Sequence, residues 1–341
     1  MTRRPGMTMP EVLVAIFVVA IGLVSVMAMF PFGAKQMSDA LISDRSASHA
    51  VATDGLVRSY WREKVAENNG NGEPFWDALD NPDTGAYVHS ATGTPSTPRL
   101  PKPGANEPSY PVFLDSMGEV GRGSTNKYWV GDGTRTTPSF VPRRNMRLVL
   151  ESPNPASLAL RLWSQADGFS WNDDSVPKPG VDMRELRYNS LAVIQRPTNR
   201  DRFGATLKVV VFINRRHQFY PTGSEVVFPN ATFPSLIRFT PGSTQLSLPV
   251  MAATDIRKGS WIMDGTVNPP AAPSIRHANF YRVVSAIEDG AGRVDIELHT
   301  AIKRIDGRNN PVNDYYDGTA VVMAGVAEVF ERPVLTGNHN P

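Results

Sequence analysis

The feature that most constrains this chain is an uncharged stretch of 21 residues near its N-terminus, Val12–Phe32. Thirteen of these residues are Val, Leu, Ile or Phe. As an α-helix the stretch would rise about 31 Å, which matches the hydrocarbon thickness of a bilayer. Arg3 and Arg4 precede it, and the next cation is Lys35. We therefore predict a membrane-spanning helix whose N-terminus lies in the cytoplasm.

Two ordinary explanations of such a stretch are a cleaved secretory signal and a plain membrane anchor. A secretory signal has a shorter apolar core followed by small residues, and Val26-Met27-Ala28 matches that cleavage pattern poorly. Neither explanation needs an acidic residue at the head of the helix. Glu11 lies there, although a misplaced carboxylate in a membrane span costs on the order of a few kcal/mol.

The residues around Glu11 form a motif, Arg3-Arg4-Pro5-Gly6-Met7-Thr8-Met9-Pro10-Glu11. This motif resembles the class III signal of type IV pilins and type II secretion pseudopilins, and the chain is most similar to their minor subunits. Met7 and Pro10 depart from the commonest residues of that signal. The resemblance implies that prepilin peptidase cleaves between Gly6 and Met7 and then N-methylates Met7.

The same resemblance implies a role for Glu11 in assembly. In the family, this carboxylate is thought to pair with the amine of the processed N-terminus, within or between subunits, and so to set the register of the filament. A buried carboxylate and a buried amine each need a partner of this kind. The alternative is that Glu11 only reaches the cytoplasmic headgroups.

The helix is predicted to continue beyond the membrane as an amphipathic segment. Apolar residues recur at spacings near three, four and seven, and the Asn68-Asn69-Gly70-Asn71-Gly72 sequence ends the pattern. Pro31-Phe32-Gly33 predicts a kink between the two halves. The apolar positions of the second half are Leu41, Ala47, Ala50, Val51, Val57, Tyr60, Trp61 and Val65.

The remainder reads as β structure, because short β-branched runs alternate with turn signals. The clearest antiparallel pair is Leu186–Arg196 with Ala205–Asn214, and a longer apolar run spans Ala320–Phe330. The predicted fold class is α+β, with a long N-terminal helix packed on an antiparallel head and an extra all-β module. The predicted domains are a leader (1–6), a transmembrane helix (7–34), its amphipathic continuation (35–67), a pilin-like head with Pro-rich loops (68–224) and a C-terminal β module (225–341).

Composition and motifs give little reason to expect catalysis. The chain has no Cys, which excludes disulfides, iron–sulfur clusters and thiol catalysis. No zinc, phosphate-loop or nucleophile motif is present, so we predict no catalytic residue, no metal, no cofactor and no enzyme activity. Weaker candidates are a calcium-binding turn (Asp167, Asn172-Asp173-Asp174), a sugar-stacking set (Trp163, Phe169, Trp171) and two basic pairs (Arg143-Arg144, Arg215-Arg216).

The distribution of charged residues indicates how the helix is oriented in the membrane, and the near-zero net charge gives no reason to expect nucleic-acid binding. The 35 basic and 33 acidic residues give +2, and removal of a leader with two Arg leaves 33 of each. The expected function is a minor pilin or pseudopilin subunit of the inner membrane, with its head in the periplasm or an extracytoplasmic filament. Its expected partners are prepilin peptidase, other pilins or pseudopilins, the assembly platform and lipid. The alternative is a signal-anchored periplasmic domain, all β, that binds a ligand or acts as an enzyme.

Overall fold

The computed structural model describes part of the chain. The described residues are 8–62, 104, 106–115, 129–130, 141–145, 188–198, 204–213, 225–228, 233, 235–250, 256–268, 275–303, 315–323 and 325–336. The chain divides into two compact units, an anchor unit (Met1–Ala47) and a head unit (Ser48–Pro341).

A single α-helix, α1, covers Met9–Trp61. Its 53 residues lie within the two consecutive helical segments predicted over 7–67, and it runs through Pro31 without interruption. The helix contains a window of mean hydropathy 2.9, none of which is buried. Among the described residues it is the one helix long and apolar enough to span a membrane, which is compatible with a single-pass membrane protein.

In the head unit, one face of α1 packs on a β-sheet. Ala50, Val57 and Trp61 are buried there, as predicted from their spacing. Val51 from the same predicted stripe is instead 60% exposed. The buried face therefore follows the side of Ala50 and Val57, and it includes Thr53.

The strands of the head are short and numerous, as the turn signals predicted. In chain order they are β1 (Val112–Asp115), β2 (Trp129–Val130), β3 (Val141–Asn145), β4 (Tyr188–Gln195), β5 (Ala205–Ile213), β6 (Glu225–Phe228), β7 (Ile237–Phe239), β8 (Gln245–Pro249), β9 (Trp261–Asp264), β10 (Val267–Asn268), β11 (Ile275–Arg276), β12 (Asn279–Glu288), β13 (Arg293–Leu298), β14 (Tyr316–Gly318), β15 (Ala320–Met323) and β16 (Val326–Leu335).

The first sheet has the order β16-β5-β4-β1-β3-β2. The predicted antiparallel pair is confirmed, because β4 and β5 run antiparallel with Leu191 opposite Val210. One pair differs from the prediction, since β1 and β3 are parallel. Alternate residues of β4 face opposite ways: Ala192 packs with α1, and Leu191 packs on the other side of the sheet.

The second sheet has the order β6-β15-β9-β12-β13-β8 and curls into a half-barrel. Its interior is an apolar core that includes Phe228, Ile262 and Ile296. The two-stranded ribbon of β7 and β14 contributes Phe239 and Tyr316 to the same core. A separate apolar cluster joins the half-barrel to the first sheet, and we call it the inter-sheet cluster: Phe113, Leu191, Val193, Val210, Phe212, Val227, Met263, Ala278, Val321 and Met323.

The apolar run predicted as one strand, Ala320–Phe330, is divided between the two sheets. Gly325 has a φ of 80°, which L side chains rarely adopt, and it separates β15 from β16. The strand β15 pairs with β9 in the half-barrel, while β16 pairs with β5 in the first sheet. The segment 225–341 therefore contributes strands to both sheets. One long helix with sheets that are antiparallel apart from the β1–β3 pair is compatible with the predicted α+β class.

Candidate functional site

The head of the apolar helix is closed by a contact between Thr8 and Glu11. The main-chain N–H and the hydroxyl of Thr8 each donate to Oε2 of Glu11, both at 3.2 Å. The amide groups of Glu11 and Val12 donate back to the carbonyl oxygen of Thr8, at 3.0 and 3.3 Å. Thr8 thus precedes the helix as its cap, and Glu11 closes the first turn.

This arrangement explains how an acidic side chain fits at the head of an apolar helix. The first N–H groups of a helix have no partner within it, and its N-terminus carries partial positive charge. The carboxylate of Glu11 accepts a hydrogen bond from the main-chain N–H of Thr8, and its negative charge lies at the positive end of the helix. The Thr8-x-x-Glu11 spacing is a sequence signature of helix starts, and it could have identified Thr8 as the partner before the structure was known.

The two other residues of the predicted processing site, Gly6 and Met7, lie outside the described residues. Of that site the structure therefore places Glu11 alone. Cleavage and N-methylation stay predictions.

The helix surface beyond Glu11 is apolar and exposed. Phe17, Val24 and Phe30 are 66%, 66% and 79% exposed. A contiguous apolar surface of this kind is stable only against lipid or another apolar surface.

A second cluster, in the head unit, is polar and centred on the fully buried carboxylate of Asp264. Oδ1 accepts hydrogen bonds from the main-chain N–H of Thr266 at 3.1 Å and from its hydroxyl at 2.5 Å. Oδ2 accepts from the hydroxyl of Tyr316 at 2.8 Å and contacts Nδ1 of His277 at 2.7 Å. We call these four residues the Asp264 cluster.

The geometry of the Asp264 cluster fixes its donors. With both oxygens of a carboxylate acting as acceptors, Nδ1 of His277 is the donor in the contact to Asp264. The imidazole packs edge-on against the ring of Tyr316, with centroids 5.3 Å apart. Burial raises the pKa of Tyr316 above its usual range, and the charge of Asp264 adds to the rise.

Two further titratable groups interact electrostatically with Asp264. Burial lowers the pKa of Lys208 to about 8, with a further contribution from the charge of Lys303, while Glu331 and Asp264 oppose the change. Burial also raises the pKa of Tyr281 to about 12. Shifted pKa values concentrated in one place are typical of functional sites, but structural networks produce them too.

The chemistry available to the Asp264 cluster is limited. The side chain of His277 retains 12% exposure, and its Nε2 is the ring nitrogen left to accept a proton. In the part of the chain that the structure describes, no hydroxyl donates to Nε2, so the cluster supplies an oriented imidazole without an adjacent nucleophile. Sequence reasoning did not find this cluster.

The weaker sequence candidates are mostly untested. The calcium-binding turn, the sugar-stacking set and the Arg215-Arg216 pair lie outside the described residues, whereas Arg143-Arg144 lies in β3. Within the described ranges, no group of three or more His, Asp or Glu side chains is arranged to hold a metal ion.

Comparison with known proteins adds little. No protein-family profile matches the chain, and no curated protein matches it. Among solved structures, the chain is similar to an endosialidase of phage phi92, with 10% identity and a TM-score of 0.19. The match covers 43% of this chain and 18% of that one. At this TM-score the similarity carries no argument about fold or activity.

Proposed function

We propose that this chain is a minor pilin or pseudopilin subunit. Prepilin peptidase cleaves it between Gly6 and Met7 and N-methylates Met7, and the processed subunit then joins a type IV pilus or a type II secretion pseudopilus. The inner membrane holds the subunit before assembly, with the head on the periplasmic side.

The observation that carries this proposal is a carboxylate, held by a capping contact, in the first turn of an exposed apolar helix. Glu11 is held by Thr8 at the first turn, and the helix surface beyond it has no charge until Lys35. In a plain anchor this carboxylate would only cap the start of the helix, whereas a subunit that must pair with a charged N-terminus also needs it as the partner of that charge. The continuation of the same helix onto a β-sheet in the head unit supports the proposal.

One observation favours the alternative of a signal-anchored periplasmic domain that binds a ligand or acts as an enzyme. The Asp264–His277 contact orients an imidazole, as a binding or catalytic site would require. A buried network of this kind also serves to fix one packing arrangement, and that explanation needs no ligand.

The N-terminus of the membrane-inserted protein separates the two proposals. The full chain is produced with and without a prepilin peptidase, and its N-terminal peptide is analysed by mass spectrometry. We expect N-methyl-Met7 as the first residue only when the peptidase is present. Recovery of intact Met1 with an active peptidase, or of a start after Ala28, would contradict the pilin proposal.

A matched variant makes the experiment specific. Gly6→Ala changes the residue before the predicted cleaved bond and leaves the apolar helix intact. We expect this variant to insert normally and to lose most of its processing. Processing at an unchanged level would place the cleavage elsewhere in the chain.

A further inference from the structure

Residues 276–280, which we call the strap, run from the end of β11 into the start of β12. Three of its five residues, Arg276, His277 and Ala278, are held by contacts to other elements, and those elements include strands of both sheets.

The first contact fixes Arg276, whose side chain is 2% exposed. Its Nη1 forms an ion pair with Oε2 of Glu107 at 2.8 Å and donates to the carbonyl oxygen of Pro108 at 3.3 Å. The guanidinium lies over the ring of Tyr110, 4.6 Å from its centroid. A buried guanidinium with these partners cannot shift without losing a charge-assisted bond.

The first sheet provides two more contacts. Nε2 of Gln195, in β4, donates to the carbonyl oxygens of Arg276 at 2.8 Å and of Ser109 at 2.9 Å. Nζ of Lys208, in β5, donates to the carbonyl oxygen of Ala278 at 2.8 Å. Side chains of β4 and β5 thus hold the main chain of the strap directly.

The half-barrel holds the strap from its own side. The main-chain N–H of His277 donates to the carbonyl oxygen of Thr266 at 2.8 Å, and its side chain belongs to the Asp264 cluster. His277 therefore connects the strap to β9 and, through Tyr316, to β14.

These contacts differ in kind from the inter-sheet cluster, which is apolar. Apolar burial is non-directional and favours many closely related packings of two sheets almost equally. Hydrogen bonds and ion pairs at low local dielectric are directional, and leaving one of their groups unpaired is costly. A polar strap bonded to both sheets therefore selects one packing from those that the apolar cluster permits.

We propose that the strap sets the orientation of the half-barrel on the first sheet, so that the head presents the half-barrel as a rigid extension of that sheet. The proposal goes beyond the pilin function and does not depend on it. It predicts that loss of the strap contacts frees the half-barrel to rock on the inter-sheet cluster without unfolding either sheet.

The test measures one distance across the head of the full chain in detergent. Because the chain has no Cys, Ser59→Cys on α1 and Asp295→Cys on β13 provide two label sites, both at exposed positions. With a spin label on each Cys, pulsed electron–electron double resonance gives the distribution of distances between the two labels. The strap variant is Gln195→Ala with Lys208→Met, and it removes both contacts from the first sheet.

The matched control is Arg293→Gln, which breaks a bond to Ser247 inside the half-barrel. We expect a narrow distribution in the parent and the control, and at least a doubling of its width in the strap variant. A strap variant with native circular dichroism and an unchanged width would overturn the proposal.

A milder variant guards against loss of folding. If the strap variant does not fold, Gln195→Ala alone is measured by hydrogen exchange at the amides of residues 276–281. We expect at least a tenfold fall in protection there, with the amides of β13 unchanged. Equal protection in the parent and Gln195→Ala would refute the proposal.

Discussion

Gly318 lies against Thr266 so closely that no larger residue fits in its place. A Cβ on Gly318 would overlap Oγ1 of Thr266 and lie 2.8 Å from its Cγ2. Thr266 has little freedom to move, because its hydroxyl donates to Asp264 and accepts from the main-chain N–H of Thr319. We expect Gly318→Ala to lower the free energy of unfolding by about 1–3 kcal/mol, as overpacking does elsewhere.

Gly55 offers the opposite result for the same substitution, and both are measured by urea denaturation. It lies on the exposed side of α1, where nothing is within 4 Å of an added Cβ. Gly55→Ala should raise the free energy of unfolding by about 0.5–1 kcal/mol, because Ala favours the helix. A Gly318→Ala protein as stable as its parent would show that Thr266 is not confined.

Asp264→Asn tests whether the buried carboxylate holds its cluster together. An amide has one accepting oxygen, and its NH₂ group would face donors that now bond to the carboxylate. We expect a loss of about 2–4 kcal/mol in unfolding free energy, since buried donors are left unpaired. Asp295→Asn, at an exposed position of β13, is the control and should change stability by under about 0.5 kcal/mol. If Asp264→Asn lowered the free energy of unfolding no more than Asp295→Asn does, the hydrogen bonds of the cluster would add no stability.

The elements that follow from local patterns could be predicted, and those that depend on distant pairing could not. The apolar helix and the β4–β5 pair follow from periodicity and turn residues. By contrast, Asp264 meets His277 and Tyr316 across 13 and 52 residues, and no spacing rule connects them. Such contacts exist only after the half-barrel has closed.

Dependence on distant pairing also explains why the run Ala320–Phe330, predicted as one strand, is divided between two sheets. Its composition is strand-like throughout, and nothing local shows that β15 and β16 enter different sheets. Gly325 is the one local signal, because an isolated Gly within a strand pattern often marks a break or a bulge. At the helix start, by contrast, the Thr8-x-x-Glu11 spacing is a local signal that predicts the contact between these two residues.

Lys208 should make the head more stable as the pH rises from about 8. Its pKa is lowered from 10.5 to about 8 in the folded protein. Between those values the unfolded chain binds more protons than the folded one, so the free energy of unfolding increases with pH, by up to ~1.4 kcal/mol per pH unit. Tyr281 acts in the opposite direction only above pH 10, because its pKa rises from 10.0 to about 12.

The measurement compares the parent with Lys208→Met by urea denaturation from pH 7.5 to 9.5. The difference in unfolding free energy should grow in favour of the parent by about 1–2 kcal/mol over this range. Lys258→Met, at an exposed turn position, serves as the control for the loss of a lysine side chain and is measured at the same pH values. A difference for Lys208→Met that stays constant over this pH range would show that burial does not lower the pKa of Lys208.

Glu11 is expected to matter for assembly more than for the helix itself. In the single subunit its carboxylate bonds to the N–H and hydroxyl of Thr8, and loss of such a cap costs only about 0.5–2 kcal/mol. In a filament of the proposed kind, the same carboxylate is the partner of a buried amine, and removing one member of a buried pair costs about 3–5 kcal/mol. Glu11→Ala should therefore still insert and be processed, but its recovery in filaments should fall at least tenfold.

Two variants of the same helix separate assembly from capping. Thr8→Val removes the hydroxyl and keeps the main-chain N–H that bonds to Glu11, so we expect filament recovery within about twofold of the parent. Ser25→Ala removes a bond to the carbonyl oxygen of Ile21 within the apolar stretch and should leave recovery unchanged. Recovery is measured by immunoblotting of sheared filaments against total processed protein. Parent-level recovery of Glu11→Ala would show that the carboxylate only caps the helix.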